Sequence, residues 1–347
     1  MLYQSERNHG CRFAEYSMMG LRTIALENEK LRICILADKG AEIIEFNLKE
    51  RDIDFVWRSP LGLSCLAKMA ASPKDTQMLT DWYTGGWFEC FPNVGTPCTY
   101  KNALIPQYGE LWYLPWEYQV IKDEPEEVIL RFTVKTTKTP FRIDKEISLR
   151  AHDATLYIHE TAENTGRVEL DYQWGFHPNF GSNFIDESCM IDMPGGAVKA
   201  HYASPRSRFE PGAAGMWPYL EGKNGAPVDL RMVLGEGAGT DECIEVNHLE
   251  KGITTITNNK KNICMEMTWD VNALPHNVIW HVTNGDEGYP RYGNTYVLGF
   301  LPRSDRVWGL EEAAAAGSCC KIQPGEKKCM WFNMKAYQTK GVSAAIV

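Results

Sequence analysis

The sequence of 347 residues predicts an all-β protein. Runs that alternate apolar and polar residues recur at short intervals, and turn-forming residues separate them. Segments that favour helix are few, and no linker-like change of composition divides the chain. We therefore predict one large β-sandwich domain that covers residues 1–347.

The first strand-rich region spans residues 23–57, where apolar and polar positions alternate. Turns are predicted at Asn28-Glu29 and at Lys39-Gly40, because these residues favour turn conformations. Such short connections are typical of a β-meander. The region is therefore predicted to begin an antiparallel sheet.

Two later regions repeat this pattern. Residues 117–166 contain at least four alternating runs, and the C-terminal part adds ITTITNN, ICMEMTW, NVIWHVT and TYVLGFL. These runs are rich in β-branched and aromatic residues, which favour strands. Antiparallel sheets are the simplest structure that accommodates them.

Helix is predicted in two short segments, 63–71 and 309–316; residues 311–316 of the second are rich in good helix formers. Segments 59–116 and 172–240 are instead rich in Gly, Pro and aromatic residues and are predicted to form long loops. Loops on a rigid sheet scaffold commonly carry binding sites. We expect the functional residues there.

Charge and cysteine content limit the function classes. A formal net charge of -9 and a pI near 5.5 argue against nucleic acid or an anionic membrane as the main partner, since both require a basic surface. The sequence starts without a signal-like apolar segment and has no membrane-length apolar run, so a cytoplasmic protein is expected. The eleven scattered cysteines contain no CxxC, which predicts mostly buried, reduced thiols and no metal site.

Five segments together resemble the galactose mutarotase-like (aldose 1-epimerase) superfamily, and they occur in that superfamily's order. They are ADKGAEI (37–43), GGWFECFPNVG (85–95), PQYGELW (106–112), ENTG followed by WGFHPNFG (163–181), and YGNTYVLGFLP (292–302), with PGE at 324–326. The resemblance covers nearly the whole chain. It implies a β-supersandwich that binds a small sugar in an open cleft and needs no cofactor.

The resemblance also implies a reaction. Aldose 1-epimerases open a sugar ring by removing the proton of the anomeric hydroxyl and protonating the ring oxygen, which requires one base and one acid. His177, in WGFHPNFG, matches the superfamily's acid. Because imidazole titrates near neutrality, we expect His177 to hold a proton at working pH.

Two positions depart from the superfamily's pattern. Tyr108 stands where PQxGELW normally has His, and a phenol is a poor proton shuttle at neutral pH. Leu301 stands where the general base, a Glu, normally precedes Pro302. A shifted alignment on Trp308-Gly309-Leu310 offers Glu311 as an alternative base, although Glu311 also suits the start of a helix.

Further polar and aromatic residues, most of them in the matching segments, are candidate substrate-binding groups. We include Tyr108 among them, and the others are Glu89, Asn93, Glu110, Trp174, His281 and Arg303. A carboxylate desolvated among aromatic rings would have a raised pKa, as suits a base, and Arg303 could contact an anionic sugar. Each of these residues could equally have a structural role.

The sequence leaves three functions open. The first is an aldose 1-epimerase-like isomerase with a non-standard base. The second is a carbohydrate-binding or regulatory protein without turnover, which Leu301 and Tyr108 favour. The third is another proton transfer on a sugar. The identity of the sugar and the oligomeric state are also left open.

Overall fold

The computed structural model describes residues 7–64, 78–201 and 204–339, and its regular structure is almost entirely β. The alternating patterns correspond to strands because one face of each sheet is buried. Three sheets of five, eight and eight strands form the body of the protein.

The N-terminal sheet is an antiparallel meander in which each strand pairs with the next. Its strands are β1 (Arg12–Met18), β2 (Leu21–Glu27), β3 (Leu31–Leu36), β4 (Glu42–Leu48) and β5 (Ile53–Asp54). The chain turns at Asn28 and at Lys39-Gly40, as predicted. The side-chain amide oxygen of Asn28 accepts hydrogen bonds from the N–H groups of Lys30 and Leu31, which fixes the first of these turns.

The second sheet contains the four strands predicted within residues 117–166. These are β9 (Glu117–Glu124), β10 (Glu127–Lys135), β11 (Phe141–Arg150) and β12 (Thr155–Asn164). The other four are β16 (Cys189–Asp192), β22 (Ile253–Asn258), β23 (Ile263–Trp269) and β27 (Lys327–Gln338). The order is β16-β22-β23-β27-β12-β11-β10-β9, so chain-distant strands meet at its centre.

The third sheet carries the cleft described below. Its strands are β15 (Asn179–Phe180), β17 (Ala197–Ala200), β18 (Ala214–Met216), β19 (Tyr219–Glu221), β20 (Pro227–Asp229), β21 (Asp241–Asn247), β24 (Asn277–Thr283) and β25 (Tyr296–Phe300). Their order is β15-β25-β24-β21-β17-β18-β19-β20. Strands β24 and β25 lie in the two runs NVIWHVT and TYVLGFL that the sequence predicted.

Three two-stranded ribbons and two helices complete the regular structure of the described residues. The ribbons pair β6 (Phe88–Cys90) with β14 (Gly175–His177), β7 (Cys98–Tyr100) with β8 (Ala103–Ile105), and β13 (Leu170–Tyr172) with β26 (Cys320–Ile322). The helices are α1 (Met78–Trp82) and α2 (Leu310–Ala316), and a 3₁₀ turn covers Lys49–Arg51. Helix α2 confirms the prediction for 309–316. The other helix prediction, 63–71, lies outside the described residues except for 63 and 64, which are irregular.

One continuous cluster of buried side chains joins the three large sheets. It includes Phe46 from the first sheet, Phe132 and Phe332 from the second, and Ile244 and Phe300 from the third. The all-β prediction is therefore confirmed, and the division into a single domain stays a prediction.

The described residues also bear on membranes and disulfides. Among them, no helix has the length and apolar character needed to cross a membrane. Ten of the eleven cysteines fall in this part of the chain; none is in a disulfide, and seven are buried.

Candidate functional site

A cleft of about 390 Å³ opens over one face of the third sheet. Its floor is formed by alternate residues of the strands, because every second side chain of a strand points to the same face. Asp241 and Cys243 come from β21, Val278 and Trp280 from β24, and Leu301 from the residue after β25. The volume lies within the range of small-molecule sites.

His177 stands in this cleft at the end of β14, which pairs with β6. Its ring stacks on Phe88 at 5.3 Å between centroids and meets the rings of Tyr108 and Trp280 edge-on at 5.7 and 6.1 Å. A Cβ added to Gly299 would lie 3.2 Å from Cε1 of His177, so glycine allows the ring to pack against β25. The aromatic surroundings thus fix the ring's position.

Burial controls the protonation of His177. Desolvation lowers its pKa from 6.5 to about 3, and the positive charge of Arg291 acts in the same direction. The imidazole is therefore neutral at physiological pH. This corrects the expectation from sequence that His177 holds a proton near neutrality.

Tyr108 lines the same cleft, in an unusual backbone conformation. Its φ of 58° lies in the left-handed region, which residues other than Gly rarely adopt. Two hydrogen bonds hold it there: its N–H donates to the Gly95 carbonyl at 3.0 Å, and its carbonyl accepts the Phe91 N–H at 3.2 Å. Burial raises the pKa of the phenol, so the Tyr108 hydroxyl stays protonated and can donate a hydrogen bond to a ligand.

A second histidine, His201, lines the cleft beside strand β21. His201 directly follows β17, and its backbone N–H donates to the Cys243 carbonyl at 2.9 Å. Its Nδ1 lies 2.8 Å from Oε1 of Glu245, and its ring stacks on Trp308 with centroids 4.2 Å apart. Carboxylate and indole together fix the orientation of this imidazole.

Glu245 is ionised in this arrangement. Burial alone would raise its pKa, but hydrogen bonds from His201 and from Trp308 Nε1 (2.8 Å), together with the charge of Arg303, lower it to about 2. Arg303 Nη2 lies 3.8 Å from Oε1, and its guanidinium carbon lies 4.2 Å from the centre of the Trp308 ring. A negative charge thus lies next to Nδ1 of His201.

The cleft lining also carries a positive charge. Arg291 forms an ion pair with Asp286, and its guanidinium carbon lies 4.8 Å from the centre of the Trp280 ring. Both charged residues line the cleft. The lining therefore combines aromatic planes with donors and acceptors of both signs.

Several predicted site residues lie elsewhere, and Glu89 is the most deeply placed. It alternates with Phe88 along β6 and so points away from His177 into the protein, where it pairs with Lys145. Oε1 of Glu160 lies 3.6 Å from Nζ of Lys145, and all three side chains are buried. Burial and the neighbouring charge of Glu89 raise the pKa of Glu160 well above its usual value.

Glu110 acts as an acceptor for the loop between β10 and β11. Its two oxygens accept hydrogen bonds from the N–H groups of Thr137, Lys138 and Thr139 and from both threonine hydroxyls, at 2.7–3.1 Å. Its side chain is fully buried and does not line the cleft. The carboxylate that sequence suggested for a sugar therefore holds a loop in place.

Asn93 and Glu311 also make structural contacts. The Asn93 amide donates to the Thr96 and Pro106 carbonyls at 2.8 and 3.1 Å and accepts from the Leu310 N–H at 2.8 Å. Glu311 lies in the first turn of α2, exposed, and accepts from the Thr99 N–H at 2.9 Å. Neither residue lines the cleft, so Glu311 is not placed to act as its base.

The remaining three candidates lie beside or behind the cleft. His281 follows Trp280 in β24 and therefore points to the opposite face, where it lines a small cavity with Arg208 and Glu242. Trp174 packs on Phe91 with centroids 5.4 Å apart. Arg303 is fully buried and supports Glu245 and Trp308 from outside the cleft lining.

Of the positions singled out from the sequence, His177, Tyr108 and the altered position Leu301 lie in the cleft. Most of the other lining residues were not predicted. The missed polar and aromatic ones include Tyr83, Gln107, His201, Asp241, Trp280, Asp286, Arg291 and Trp308. His201 stands alone in VKAHYASP with no recognisable motif. Its position in the cleft becomes visible only when β17 pairs with β21.

Among the residues that the structure describes, no group of three or more His, Cys, Asp or Glu side chains is arranged to hold a metal ion.

Comparison with known proteins gives a family and a fold. The model of a family described as "Domain of unknown function (DUF4432)" matches residues 18–336. No curated protein matches the chain.

Solved structures with the same fold extend over nearly the entire chain. A "putative aldose 1-epimerase" from Klebsiella pneumoniae superposes with a TM-score of 0.73 at 14% identity, over 95% of this chain and 84% of its own. A galactose mutarotase-like protein from Clostridium acetobutylicum gives 0.64 at 11% identity, over 95% and 99%. Another from Lactobacillus casei gives 0.54 at 17%, over 91% and 100%. At these identities the likeness establishes a galactose mutarotase-like fold.

Proposed function

Because the chain belongs to the DUF4432 family and has a galactose mutarotase-like fold, we propose that it binds a monosaccharide in the cleft and interconverts its anomers. The observation that carries this proposal is His177, a neutral imidazole fixed among aromatic rings at the cleft surface. The reaction would be of the aldose 1-epimerase type. The names of the structural neighbours support the same substrate class.

The cleft lining suits a sugar. Aromatic side chains of Tyr83, Tyr108, Trp280 and Trp308 offer planes on which the apolar C–H faces of a sugar ring can stack. Asp241, Gln107 and Arg291 lie between them and can exchange hydrogen bonds with hydroxyl groups. A volume of about 390 Å³ leaves room for one such ring together with bound water.

The protonation state of His177 sets its role. A neutral imidazole has no stored proton to give to the ring oxygen, so its open role is to accept the proton of the anomeric hydroxyl. We therefore assign His177 the role of base in ring opening, which reverses the role implied by the resemblance. The burial that lowers its pKa to about 3 also makes it a weak base. Leu301, at the position of the superfamily's base, is packed in an apolar cluster with Cys243 and Val278.

The test is the rate of anomer exchange, followed by NMR or polarimetry with a panel of purified aldoses. We expect wild-type protein to accelerate exchange of at least one sugar that it binds. His177→Asn should lower kcat by about 10²–10⁴-fold, the usual contribution of general acid–base catalysis, with little change in sugar affinity.

A matched control is His276→Asn. His276 is another buried histidine, it lies outside the cleft, and burial lowers its pKa to about 4. Its kcat should stay within about threefold of wild type, since it does not face the sugar. Binding of a sugar by wild-type protein without faster exchange of any member of the panel would reject the proposal.

A second function is favoured by Leu301. Its alkyl side chain, only 1% exposed, cannot exchange protons at the position where the superfamily has a carboxylate. The cleft would then serve a carbohydrate-binding protein without turnover. Saturable sugar binding that is equal in wild type and His177→Asn, with no exchange in either, is the result that this alternative predicts.

A further inference from the structure

We propose that His201 and Glu245 form the second proton-transfer group of the cleft, with His201 donating to the ring oxygen of the sugar and Glu245 holding it. This inference rests on the proposed function. Three features carry it: the 2.8 Å contact between Nδ1 and the carboxylate, the stacking on Trp308, and the position of His201 on the same cleft surface as His177.

Glu245 lies in the same row of the sheet as Leu301. Val278 pairs with Glu245 across β24 and β21, and its carbonyl accepts the Leu301 N–H at 3.0 Å. These three residues therefore form one row across the sheet, with side chains on the same face. The carboxylate lies two strands from Leu301 in this row, roughly 10 Å at the usual strand spacing.

His201 connects the carboxylate to the cleft lining. It sits beside Cys243, one strand beyond β21 and so farther from Leu301 than Glu245 is, and its ring both contacts the carboxylate and lines the cleft. With Nδ1 engaged by Glu245, Nε2 is the nitrogen that would exchange a proton with a substrate. The carboxylate thus acts on the sugar through an imidazole.

The two histidines have different surroundings. Nδ1 of His201 lies 2.8 Å from the carboxylate of Glu245, whereas the ring of His177 lies among aromatic side chains. An imidazole held by a carboxylate at one nitrogen can donate a proton from the other. We therefore assign proton donation to His201 and proton acceptance to His177.

Protons and electrons balance over one turnover. The O–H bond of the anomeric hydroxyl breaks as His177 takes its proton, the C1–O1 carbonyl forms, and the electron pair of the breaking C1–O5 bond takes a proton from Nε2 of His201. After rotation about C1–C2, His177 returns a proton to O1 and His201 regains one from O5. Neither ring is consumed, and no other reactant is needed.

The experiment compares exchange rates and sugar binding for His201→Gln and Glu245→Gln in the full-length protein. We expect His201→Gln to lower kcat by about 10²–10⁴-fold with dissociation constants changed less than about threefold. Glu245→Gln keeps an oxygen that can accept the Nδ1 hydrogen bond but removes the charge, so kcat should fall by about 10-fold or more at unchanged KM. Glu245→Asp should recover part of the loss, because it restores the charge.

The control for structural damage is Glu242→Gln. Glu242 lies three residues before Glu245 on β21, points to the opposite face and forms a partly buried ion pair with Arg208 at 2.8 Å. This variant should lose stability but keep kcat per folded molecule. Circular dichroism and the melting temperature of each variant identify any that fails to fold.

A second variant at the same position is His201→Ala. Imidazole added at pH 6 should restore its anomer exchange in proportion to the imidazole concentration.

The outcomes separate the two proposals. An active wild type together with an equally active, folded His201→Gln overturns the role of His201 and leaves anomer exchange standing. Loss of activity in His201→Gln without rescue of His201→Ala by imidazole also overturns it. A wild type that binds sugar without accelerating exchange overturns both.

Discussion

At the scale of single residues, burial and charge decide which groups can carry protons. His177 and His201 both line the cleft, yet one is desolvated among aromatic rings and the other rests against a carboxylate. Two identical side chains thus have different surroundings, aromatic in one case and charged in the other. Different surroundings commonly assign acid and base roles to like groups in an active site.

The pKa of His177 gives a prediction at this scale. NMR titration of histidine-labelled protein should show no protonation of His177 between pH 8 and pH 5, since its pKa is lowered by burial to about 3. The His177→Asn variant identifies the resonance by its loss. An inflection near the ordinary value of 6.5 would show that the ring is solvated, and His177 could then hold a proton as the resemblance implied.

At the scale of elements, the loop between β10 and β11 depends on a residue far away in sequence. Glu110 accepts five hydrogen bonds from residues 137–139, all at 3.1 Å or less. Three of these hydrogen bonds come from the successive backbone N–H groups of residues 137–139. The loop between the two strands is thus held by a side chain from PQYGELW.

We predict that Glu110→Gln lowers the free energy of unfolding by about 2–4 kcal/mol. The amide N–H₂ replaces an acceptor with a donor and faces donors that are already oriented towards it, which leaves buried groups unpaired. Urea unfolding followed by circular dichroism measures the loss. The matched control, Glu311→Gln, alters an exposed carboxylate with one hydrogen bond and should change stability by less than about 1 kcal/mol. Equal stabilities of the two variants would contradict the structural role of Glu110.

At the scale of the whole molecule, three buried histidines link stability to pH. Burial lowers the pKa values of His177 and His281 to about 3 and of His276 to about 4. In the unfolded chain these rings bind protons near pH 6.5, so the unfolded state gains protons first as pH falls. Their contribution to stability is complete above pH 6.5 and is lost between pH 6.5 and pH 3–4.

Glu160 acts in the opposite direction, because its raised pKa keeps a proton in the folded state above pH 4.5. The histidines outnumber it, so stability should fall from pH 7 to pH 5. We predict that His281→Asn reduces this fall by about 2 kcal/mol, which corresponds to 1.4 kcal/mol per pH unit over the window from 6.5 to 5. Denaturant unfolding at both pH values tests this; an unchanged difference would show that His281 is protonated in the folded protein.

The sequence alone determined the fold class, twelve of the strands and helix α2. Alternation of apolar and polar residues predicted β2–β5, β9–β12 and β22–β25 in outline, because each strand buries one face, and that property is local. Strand β1 and the short strands within residues 172–240, a segment predicted to form loops, were not predicted. Motif resemblance likewise identified the segments that carry His177, Tyr108 and Leu301. These features depend on residues that are neighbours in the chain.

Tertiary structure alone decided which polar residues face the cleft. Glu89, Glu110 and His281 occur in promising motifs but point away from the cleft, because strand alternation or a distant loop directs them inward. His201 and Glu245 are 44 residues apart, and the pairing of β17 with β21 brings them together. Desolvation and charge pairing depend on such contacts between distant segments, so protonation states at the site are a property of the folded chain.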